Sequence, residues 1–441
     1  MSALSTSNLT SGFIDLASFD EQEKYLYGGP DAIAYFVRET RKSTWFTQVP
    51  VVLSRASGTP AFDQEWSVTI SRAGDYLMHT WLRVTLPKVT ATGTNKVCWT
   101  RNLMHNLIGE ACITFNDLVA ARFDNYHLDF WTAFTVPDGK ANGYLNMIGS
   151  DTSLCEPQTE LPETVLNLPL PFFYSRDSGV ALPTAALPYN DMRLCFKFRK
   201  WTELMLTLDD SAEVLRQTTT SDVVTEPVLG ATQVWCNYAI VSNDERKRMA
   251  CAPRDILIEQ VQTAPIQSFT PGTNTQQSFD IRFSHAIKVL FFGVRNKSIP
   301  SNWSNYTTRS PTVSGTSVDH EPDLASDPIK ATSLIYENTN RLSQMGSDYF
   351  SLIQPWYTAP TIPKETGYHM YSYSLDFFNL DPMGSTNYGK LTNVSIVPEA
   401  SSDAQSAASE LVNPQSFNFI VTAINNNIIR VSGGALGFPV L

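Results

Sequence analysis

Apolar and polar residues alternate in many short segments of this 441-residue chain, and a period of two is the signature of β-strands. In residues 66–71, for example, Trp66, Val68 and Ile70 share one face. The same alternation recurs at residues 76–86, 112–116, 192–199, 234–241, 279–283, 288–294, 391–397 and 417–421. Breaks rich in Pro and Gly separate these segments, which predicts an all-β fold of antiparallel sandwiches with short helices in loops.

In residues 76–86 the alternation also predicts which side chains share a face. One face holds Tyr76, Met78, Leu82, Val84 and Leu86, and the other holds His79, Trp81, Arg83 and Thr85. The first set is the more apolar, so we expect it to be buried.

Helical patterns are few. Residues 120–134 predict a short helix in a loop, and residues 243–251 predict another with Asn243 as its N-cap. The second stretch is charged, ends before Pro253 and separates two strand-rich halves. We therefore expect an N-terminal arm (1–47), a first sandwich (48–245), a linker (246–254) and a second sandwich (255–441).

The two halves echo each other at a shift of 213 residues. This shift aligns Trp66 with Phe279, Val68 with Ile281, Ile70 with Phe283, Ser71 with Ser284, Arg72 with His285, Ala73 with Ala286 and Leu77 with Leu290. A strand, a tight turn and a second strand thus occur at like positions in both halves. The echo favours a duplicated domain.

The charge balance is acidic, with 43 Asp and Glu against 32 Lys and Arg and a net charge of −11. Proteins that hold nucleic acid present a basic surface, so we expect no direct contact with nucleic acid. No stretch of 18 apolar residues occurs, and residues 1–20 lack the features of a signal peptide, so the chain is expected to be soluble and not exported.

The sequence contains no local pattern for catalysis, metal binding or cofactor binding. The six cysteines show no CxxC spacing and are interpreted as reduced, packed thiols, and the six histidines are scattered singly. The acidic pairs Asp209–Asp210 and Asp124 with Asp129 are of the kind that glycosidases use, but Asp209–Asp210 belongs to a polar loop and is better interpreted as a solvated turn. We expect no enzyme and no cofactor, although a Ser/His/Asp triad assembled from distant residues stays open.

Two alternatives remain open at this point. A sandwich protein that binds or cleaves carbohydrate would need exposed aromatic side chains near carboxylates, and Trp303, Trp356 and Tyr357 are candidates. A cellular protein that forms lattices without a genome is not separated from a viral one by these patterns.

Two segments are predicted to be exposed loops, which would face outward if the protein tiles a shell, and the arm is a candidate interaction region. Residues 301–327 and 399–410 are rich in Ser, Asn, Thr, Ala and Asp and are predicted to be surface loops. The arm contains aromatic residues suited to anchoring against a partner: Tyr25, Tyr27, Tyr35, Phe36, Trp45 and, at its boundary, Phe46. The alternative is an arm packed under its own first sandwich.

Longer segments resemble a known family. In the first half these are SGFIDL (11–16), YGGPDA (27–32), YFVRE (35–39), WFTQVP (45–50), SRAGDY (71–76), WTRNLMHN (99–106), GYLNMIG (143–149) and LPLPFFYSRDSG (168–179). In the second half they are RFSHA (282–286), YENTNRL (336–342), GSTNYGKLTN (384–393), AINNNIIR (423–430) and GFPVL (437–441). From end to end, the sequence resembles the major capsid proteins of iridoviruses.

The resemblance implies a double jelly roll, with two eight-stranded antiparallel sandwiches in one chain. It implies a homotrimer that forms a pseudo-hexagonal capsomer, contacts neighbouring capsomers and tiles an icosahedral shell. It also implies minor capsid proteins and the internal viral membrane as neighbours of the arm, and assembly in the host cytoplasm. Compared with some relatives, the chain is shorter around residues 399–410.

Overall fold

The structure is a computed structural model that describes residues 2–209, 214–272, 276–309 and 326–439. The chain forms two compact units, Met1–Trp45 and Phe46–Leu441, which are described separately. Among the described residues, no helix is long and apolar enough to cross a bilayer.

The elements of both units are numbered in chain order. The helices are α1 (Ser2–Ala17), α2 (Glu21–Leu26), α3 (Leu103–Leu107), α4 (Asn125–Thr135), α5 (Asp138–Ile148), α6 (Thr152–Cys155), α7 (Asn243–Cys251), α8 (Gln354–Thr358) and α9 (Ser402–Ala408). The strands of the first half are β1 (Phe46–Val52), β2 (Ser54–Gly58), β3 (Glu65–Thr69), β4 (Tyr76–Leu86), β5 (Val89–Thr90), β6 (Lys96–Trp99), β7 (Ile108–Phe115), β8 (Leu118–Phe123), β9 (Glu160–Leu161), β10 (Thr164–Pro169), β11 (Met192–Phe198), β12 (Met205–Asp209), β13 (Val214–Gln217) and β14 (Thr232–Val241). The strands of the second half are β15 (Arg254–Thr263), β16 (Gln267–Phe269), β17 (Phe279–Asp280), β18 (Ala286–Asn296), β19 (Ile329–Tyr336), β20 (Thr339–Gly346), β21 (His369–Ser372), β22 (Thr386–Asn387), β23 (Val394–Ala400), β24 (Phe417–Ser432) and β25 (Ala435–Gly437).

The first half forms a sandwich of two antiparallel sheets, β1-β14-β4-β10 and β2-β3-β11-β7-β8. Alternate residues of both sheets point into one shared core, which includes Leu82 from β4, Val234 from β14, Val68 from β3 and Leu194 from β11. Burial of these side chains removes apolar area from water and thereby stabilises the pairing of the two sheets.

The second half repeats this arrangement with the sheets β15-β24-β18-β21 and β17-β23-β19-β20. When the eight principal strands are counted within each half, both sandwiches have the orders 1-8-3-6 and 2-7-4-5. The all-β fold of two eight-stranded jelly rolls is therefore confirmed. The echo at 213 residues joins topologically equivalent strands, because β3 and β17 are both second strands and β4 and β18 both third strands.

One predicted strand face is wrong at its beginning. His79 pairs with Asn237 and Leu77 pairs with Tyr238, so Met78 is an extra residue on β4. This β-bulge reverses the alternation, and Leu77 is buried while Met78 is only half-buried. From Leu82 to Leu86 the predicted face is confirmed, and His79 lies exposed on the opposite face.

The two predicted helices are confirmed with corrections. Residues 120–123 belong to β8, and α4 begins after Asp124, whose side chain accepts a hydrogen bond from the His127 amide. Helix α7 has the predicted bounds, but its N-cap is Ser242 and not Asn243. It lies between β14 and β15, at the position expected for a linker.

The prediction that residues 301–327 and 399–410 are simple surface loops is wrong where the structure describes them. Ser301, Ser304 and Tyr306 are buried, while residues 310–325 lie outside the described part of the chain. Residues 402–408 form α9, whose Ala404 and Ala407 pack in the core of the second sandwich.

The arm contains two helices that the alternation did not predict. Helix α2 begins with a capping box, in which Asp20 accepts from the backbone of Glu23 and the Glu23 side chain accepts from the Asp20 amide. This reciprocal pair is a local signal that the sequence does carry.

Candidate interaction surfaces and the buried contacts behind them

A fully buried carboxylate, Asp129 of α4, gathers side chains from both halves of the chain. Its Oδ1 lies 2.7 Å from His105 Nδ1 and 3.3 Å from Asn102 Nδ2. Its Oδ2 accepts from the Tyr306 hydroxyl at 2.9 Å and from the Ser304 hydroxyl at 3.1 Å. We call these five residues the Asp129 hub; it connects α4 of the first half to the segment 301–307 of the second.

The histidine of the hub has a partner on each ring nitrogen. His105 Nδ1 contacts Asp129, and its Nε2 lies 2.6 Å from the Tyr144 hydroxyl. Burial, and then the charge of Asp129, raises the pKa of Tyr144, so this hydroxyl stays protonated. The side-chain polar groups of the five hub residues all have partners inside the protein, which is the arrangement of a structural network.

A second buried cluster of charges also joins the halves. Glu259 of β15 lies 2.6 Å from Lys288 of β18 and 2.8 Å from Arg176, which follows β10. The Arg176 guanidinium lies 4.7 Å from the ring centroids of both Trp131 and Phe378. Burial lowers the pKa of Arg176, while Glu259 opposes that effect. The cluster fixes the loop after β10 against the second sandwich.

One of the three aromatic residues considered for carbohydrate binding, Trp303, has a structural role instead. Trp303 is clamped between Arg199 and Arg295, whose guanidinium groups each lie 4.0 Å from its ring, and its indole donates to the Glu203 carbonyl. It is therefore a structural residue and not an exposed platform. Trp356 and Tyr357 are exposed on α8.

The described residues also bring together a serine, a histidine and an aspartate without forming a catalytic triad. Ser347 and Asp327 both contact the same nitrogen of His369, at 2.6 and 2.8 Å from Nε2. A triad needs the aspartate and the serine on opposite ring nitrogens, and here all three side chains are buried. Of the acidic pairs considered above, Asp124 caps α4 and Asp129 centres the hub, while Asp210 lies outside the described residues.

Buried His127 is the basis of a pH-dependent prediction. Burial lowers its pKa from 6.5 to about 3, and Arg176 and His105 add to the effect. Between these values the unfolded chain binds a proton that the folded chain does not, so stability is lost as pH falls below 6.5. The loss amounts to about 1 kcal/mol for each pH unit.

His127→Phe should remove this dependence. Phenylalanine keeps the ring packing of His127 with Phe123 and Trp131, whose centroids lie 6.1 and 5.9 Å away. Between pH 7 and pH 5, urea unfolding should show that the natural chain loses about 2 kcal/mol more of its free energy of unfolding than the variant does. Parallel losses in both proteins would contradict the assignment.

Helix α4 covers the outer face of the second sandwich. Its Phe130 and Phe134 stack on Phe291 of β18, with centroids 6.3 and 5.4 Å apart. Ile420 and Ile424 of β24 complete the same buried apolar cluster. An excursion of the first sandwich is therefore docked on the 1-8-3-6 sheet of the second.

Helix α8 holds the equivalent position in the second half, since both helices lie between the fifth and sixth strands of their sandwiches. Unlike α4, it leaves large side chains uncovered: Trp356 is 72% exposed and Tyr357 is 77% exposed. We call Ile353, Trp356 and Tyr357 the α8 knob.

The outer face of the first sandwich is the equivalent of the face that α4 covers. It carries the pair Trp81 and Trp235, directly opposite on β4 and β14 with stacked rings 6.2 Å apart. Beside them lies a largely apolar groove of about 640 Å³, whose lining includes Trp81, Pro169 and Met147. We call this surface the Trp81 groove.

Of the aromatic residues predicted to anchor the arm, all but Phe46 are almost fully exposed. Tyr25 lies in α2, Tyr27 directly follows it, and Tyr35 and Phe36 share a turn. Trp45 ends the arm, and half-exposed Phe46 is the first residue of β1 in the other unit. Among the described residues of the arm, no ring contact joins these aromatic side chains.

Two jelly rolls of identical strand order, joined by satisfied buried networks, define a double jelly-roll structural protein. Family models described as "Major capsid protein N-terminus" and "Large eukaryotic DNA virus major capsid protein" match residues 34–241 and 245–437. The chain belongs to the family of iridovirus major capsid proteins. It is a structural component of the virion capsid and not an enzyme.

Individual relatives agree along the whole length. The major capsid protein of Costelytra zealandica iridescent virus is 64% identical, with 100% of both chains covered. That of Wiseana iridescent virus is also 64% identical and covers 98% of this chain and 94% of its own. A chain of the PBCV-1 virus capsid matches with a TM-score of 0.75 at 20% identity, over 92% of this chain and 100% of that one, which shows the shared fold.

Proposed function

We propose that three copies of the chain form a pseudo-hexagonal capsomer, and that these capsomers tile an icosahedral shell. Three chains with two sandwiches each supply six similar sandwiches around one axis. The docking of α4 on the second sandwich carries this proposal, because it is the contact that such a ring must repeat at every junction. Three of the six junctions lie within chains and three lie between chains.

The α8 knob and the Trp81 groove are the two halves of the junction between chains. The knob holds the position in the second half that α4 holds in the first. The groove lies on the face of the first sandwich that corresponds to the face of the second covered by α4. Both are largely apolar and contain aromatic side chains: Trp356 and Tyr357 are exposed, and Trp81 and Trp235 are half-buried. Such aromatic anchors are typical of the centre of an obligate interface. The contact is heterologous, so a threefold rotation closes it into a ring.

The solution mass of the full-length chain tests this proposal. Light scattering should give about 147 kDa, three times the 49.1 kDa chain, and negative-stain images of the same fraction should show hexagonal outlines. A stable monomer at micromolar concentration would overturn the trimer. Contacts between neighbouring capsomers are expected to be smaller and more polar.

We also propose that the arm, residues 1–47, binds minor capsid proteins next to the internal viral membrane, through Tyr25, Tyr27, Tyr35, Phe36, Trp45 and Phe46. Exposed aromatic side chains without ring partners in the arm support this role. Assembly takes place in the host cytoplasm. The net charge of −11 argues against a direct contact with the genome.

Deleting residues 1–45, which leaves β1 whole, should keep trimers intact and reduce the minor capsid proteins recovered with assembled shells. Shells of normal composition from the deleted chain would instead favour an arm that packs under its own first sandwich. We retain 48–245, 246–254 and 255–441 as the proposed limits of the first sandwich, the linker and the second sandwich, because α7 separates β14 from β15.

A further inference from the structure

We propose that Cys112 and Cys195 form a redox-responsive dithiol, which reacts with small-molecule disulfides and closes into a cross-strand disulfide. The site lies on the outer face of the β2-β3-β11-β7-β8 sheet of the first sandwich. It is independent of the trimer proposed above.

The register of the sheet places the two cysteines directly opposite each other on β7 and β11. Directly opposite residues of an antiparallel pair have Cα atoms about 4.5–5.5 Å apart, which lies within the range of about 4.4–6.8 Å found for disulfides. Both thiols are free in the structure. Closing the bond therefore needs only a small adjustment of two paired strands.

Both side chains point away from the core of the sandwich. The neighbouring residues Leu194 and Phe196 of β11 are buried in that core, so Cys195 between them faces outward. Ser67 of β3 lies opposite Cys195 on one side, and Arg122 of β8 lies opposite Cys112 on the other. This row of residues crosses the outer face of the sheet from strand to strand.

Cys195 is half-buried and Cys112 is buried, and both border a cleft. The cleft, of about 380 Å³ on this face, is lined by both cysteines, by the cationic Arg193 and Lys197 and by the acidic Glu65, Glu110 and Asp117. Cys98 and Cys236 are also buried, but they do not line this cleft.

The surroundings make the two thiols unequal. A hydrogen bond from Cys112 lowers the pKa of Cys195 to about 7, and Thr114 and Arg193 act in the same direction. The same hydrogen bond, together with burial, raises the pKa of Cys112. Cys195 is thus the attacking thiolate and Cys112 the resolving thiol.

The reaction is a two-step exchange with a disulfide RSSR. The Cys195 thiolate attacks one sulfur, forming a mixed disulfide and releasing RS⁻. Cys112 then loses its proton and attacks the Cys195 sulfur, which forms the Cys112–Cys195 bond and releases the second RS⁻. The protein is oxidised by two electrons, and RSSR is reduced to two thiols.

The test is peptide mapping by mass spectrometry of the full-length chain after exposure to oxidised glutathione at pH 7.4. The expected product is a Cys112–Cys195 disulfide. Cys112→Ser should stop at a glutathione adduct on Cys195, and Cys195→Ser should leave Cys112 unmodified. Cys251→Ser, which removes the exposed thiol elsewhere, should not change the result.

Alkylation of the natural chain provides a measurement that needs no variant. Iodoacetamide should modify Cys195 at least about tenfold faster than Cys236, whose pKa is raised to about 12 by burial. The Cys195 rate should rise with a midpoint near pH 7. Equal rates at both cysteines, or glutathione adducts on Cys251 alone, would overturn the proposal.

Discussion

Asp129→Ala is expected to lower the free energy of unfolding by about 4 kcal/mol, the largest stability effect of a single substitution that we anticipate. The buried carboxylate accepts hydrogen bonds from His105, Asn102, Ser304 and Tyr306. Alanine would leave these donors buried without an acceptor, and each lost partner carries a desolvation penalty. The natural chain and the variant should be compared by urea unfolding followed by tryptophan fluorescence.

A matched control lies nearby. Asp138 in the first turn of α5 forms an ion pair with Lys364, but both side chains are largely exposed. Exposed pairs contribute at most about 1 kcal/mol, so Asp138→Ala should unfold close to the natural midpoint. If Asp129→Ala unfolded at the same urea concentration as Asp138→Ala, the hub would not be holding the two halves together.

The hub also shows where prediction from the sequence ends. The strands were predictable because alternation is a local pattern, and both sandwiches follow from it. Tyr306 and Asp129 lie 177 residues apart, and no local pattern relates them. The polar composition of residues 301–307 is the same for an exposed loop as for a buried hydrogen-bonded network, so composition predicted the wrong environment.

The predictions of strand faces and strand lengths were wrong where pairing with a neighbouring strand determines them. The bulge at Met78 exists because β4 must match the register of β14. The strand β24 continues far beyond the predicted 417–421, through Asn425, Asn426 and Asn427, where three polar residues interrupt the alternation. Gln260 of the neighbouring β15 accepts hydrogen bonds from the Asn425 and Asn427 amides, which makes polar residues acceptable there.

Some of the candidate surfaces can be recognised in the sequence, and others only in the structure. Aromatic residues of the arm, and Trp356 and Tyr357, stand out in the sequence because they are large and apolar in polar surroundings. The Trp81 groove and the Cys112–Cys195 pair do not, because each is assembled by strand register across distant segments. The role proposed for Trp356 rests on the topological equivalence of α8 and α4. That equivalence is recognised only when the strand order of both sandwiches is known.

The double substitution Trp356→Ala and Tyr357→Ala is expected to leave a folded monomer where the natural chain forms a trimer. Both side chains are exposed, so their removal costs the single chain little. At the centre of an interface, each would contribute about 2 kcal/mol, and the pair would weaken each contact roughly a thousandfold. Sedimentation velocity at micromolar concentration measures the change. Replacing Leu411 and Val412, an exposed apolar pair outside α8 and the first sandwich, should leave trimers intact.

The reciprocal substitution, Trp81→Ala with Trp235→Ala, damages the groove and leaves the α8 knob intact. It should also give monomers. Mixing the two double variants is the more demanding experiment. The variant with a damaged groove still has an intact knob, which can enter the intact groove of the variant with a damaged knob. The other two surfaces of such a pair are both damaged and bind no further chain, so the mixture should contain species of about 98 kDa, twice 49.1 kDa, and no trimers. Trimers in the mixture, or trimers of either variant alone, would mean that the chains associate through other surfaces.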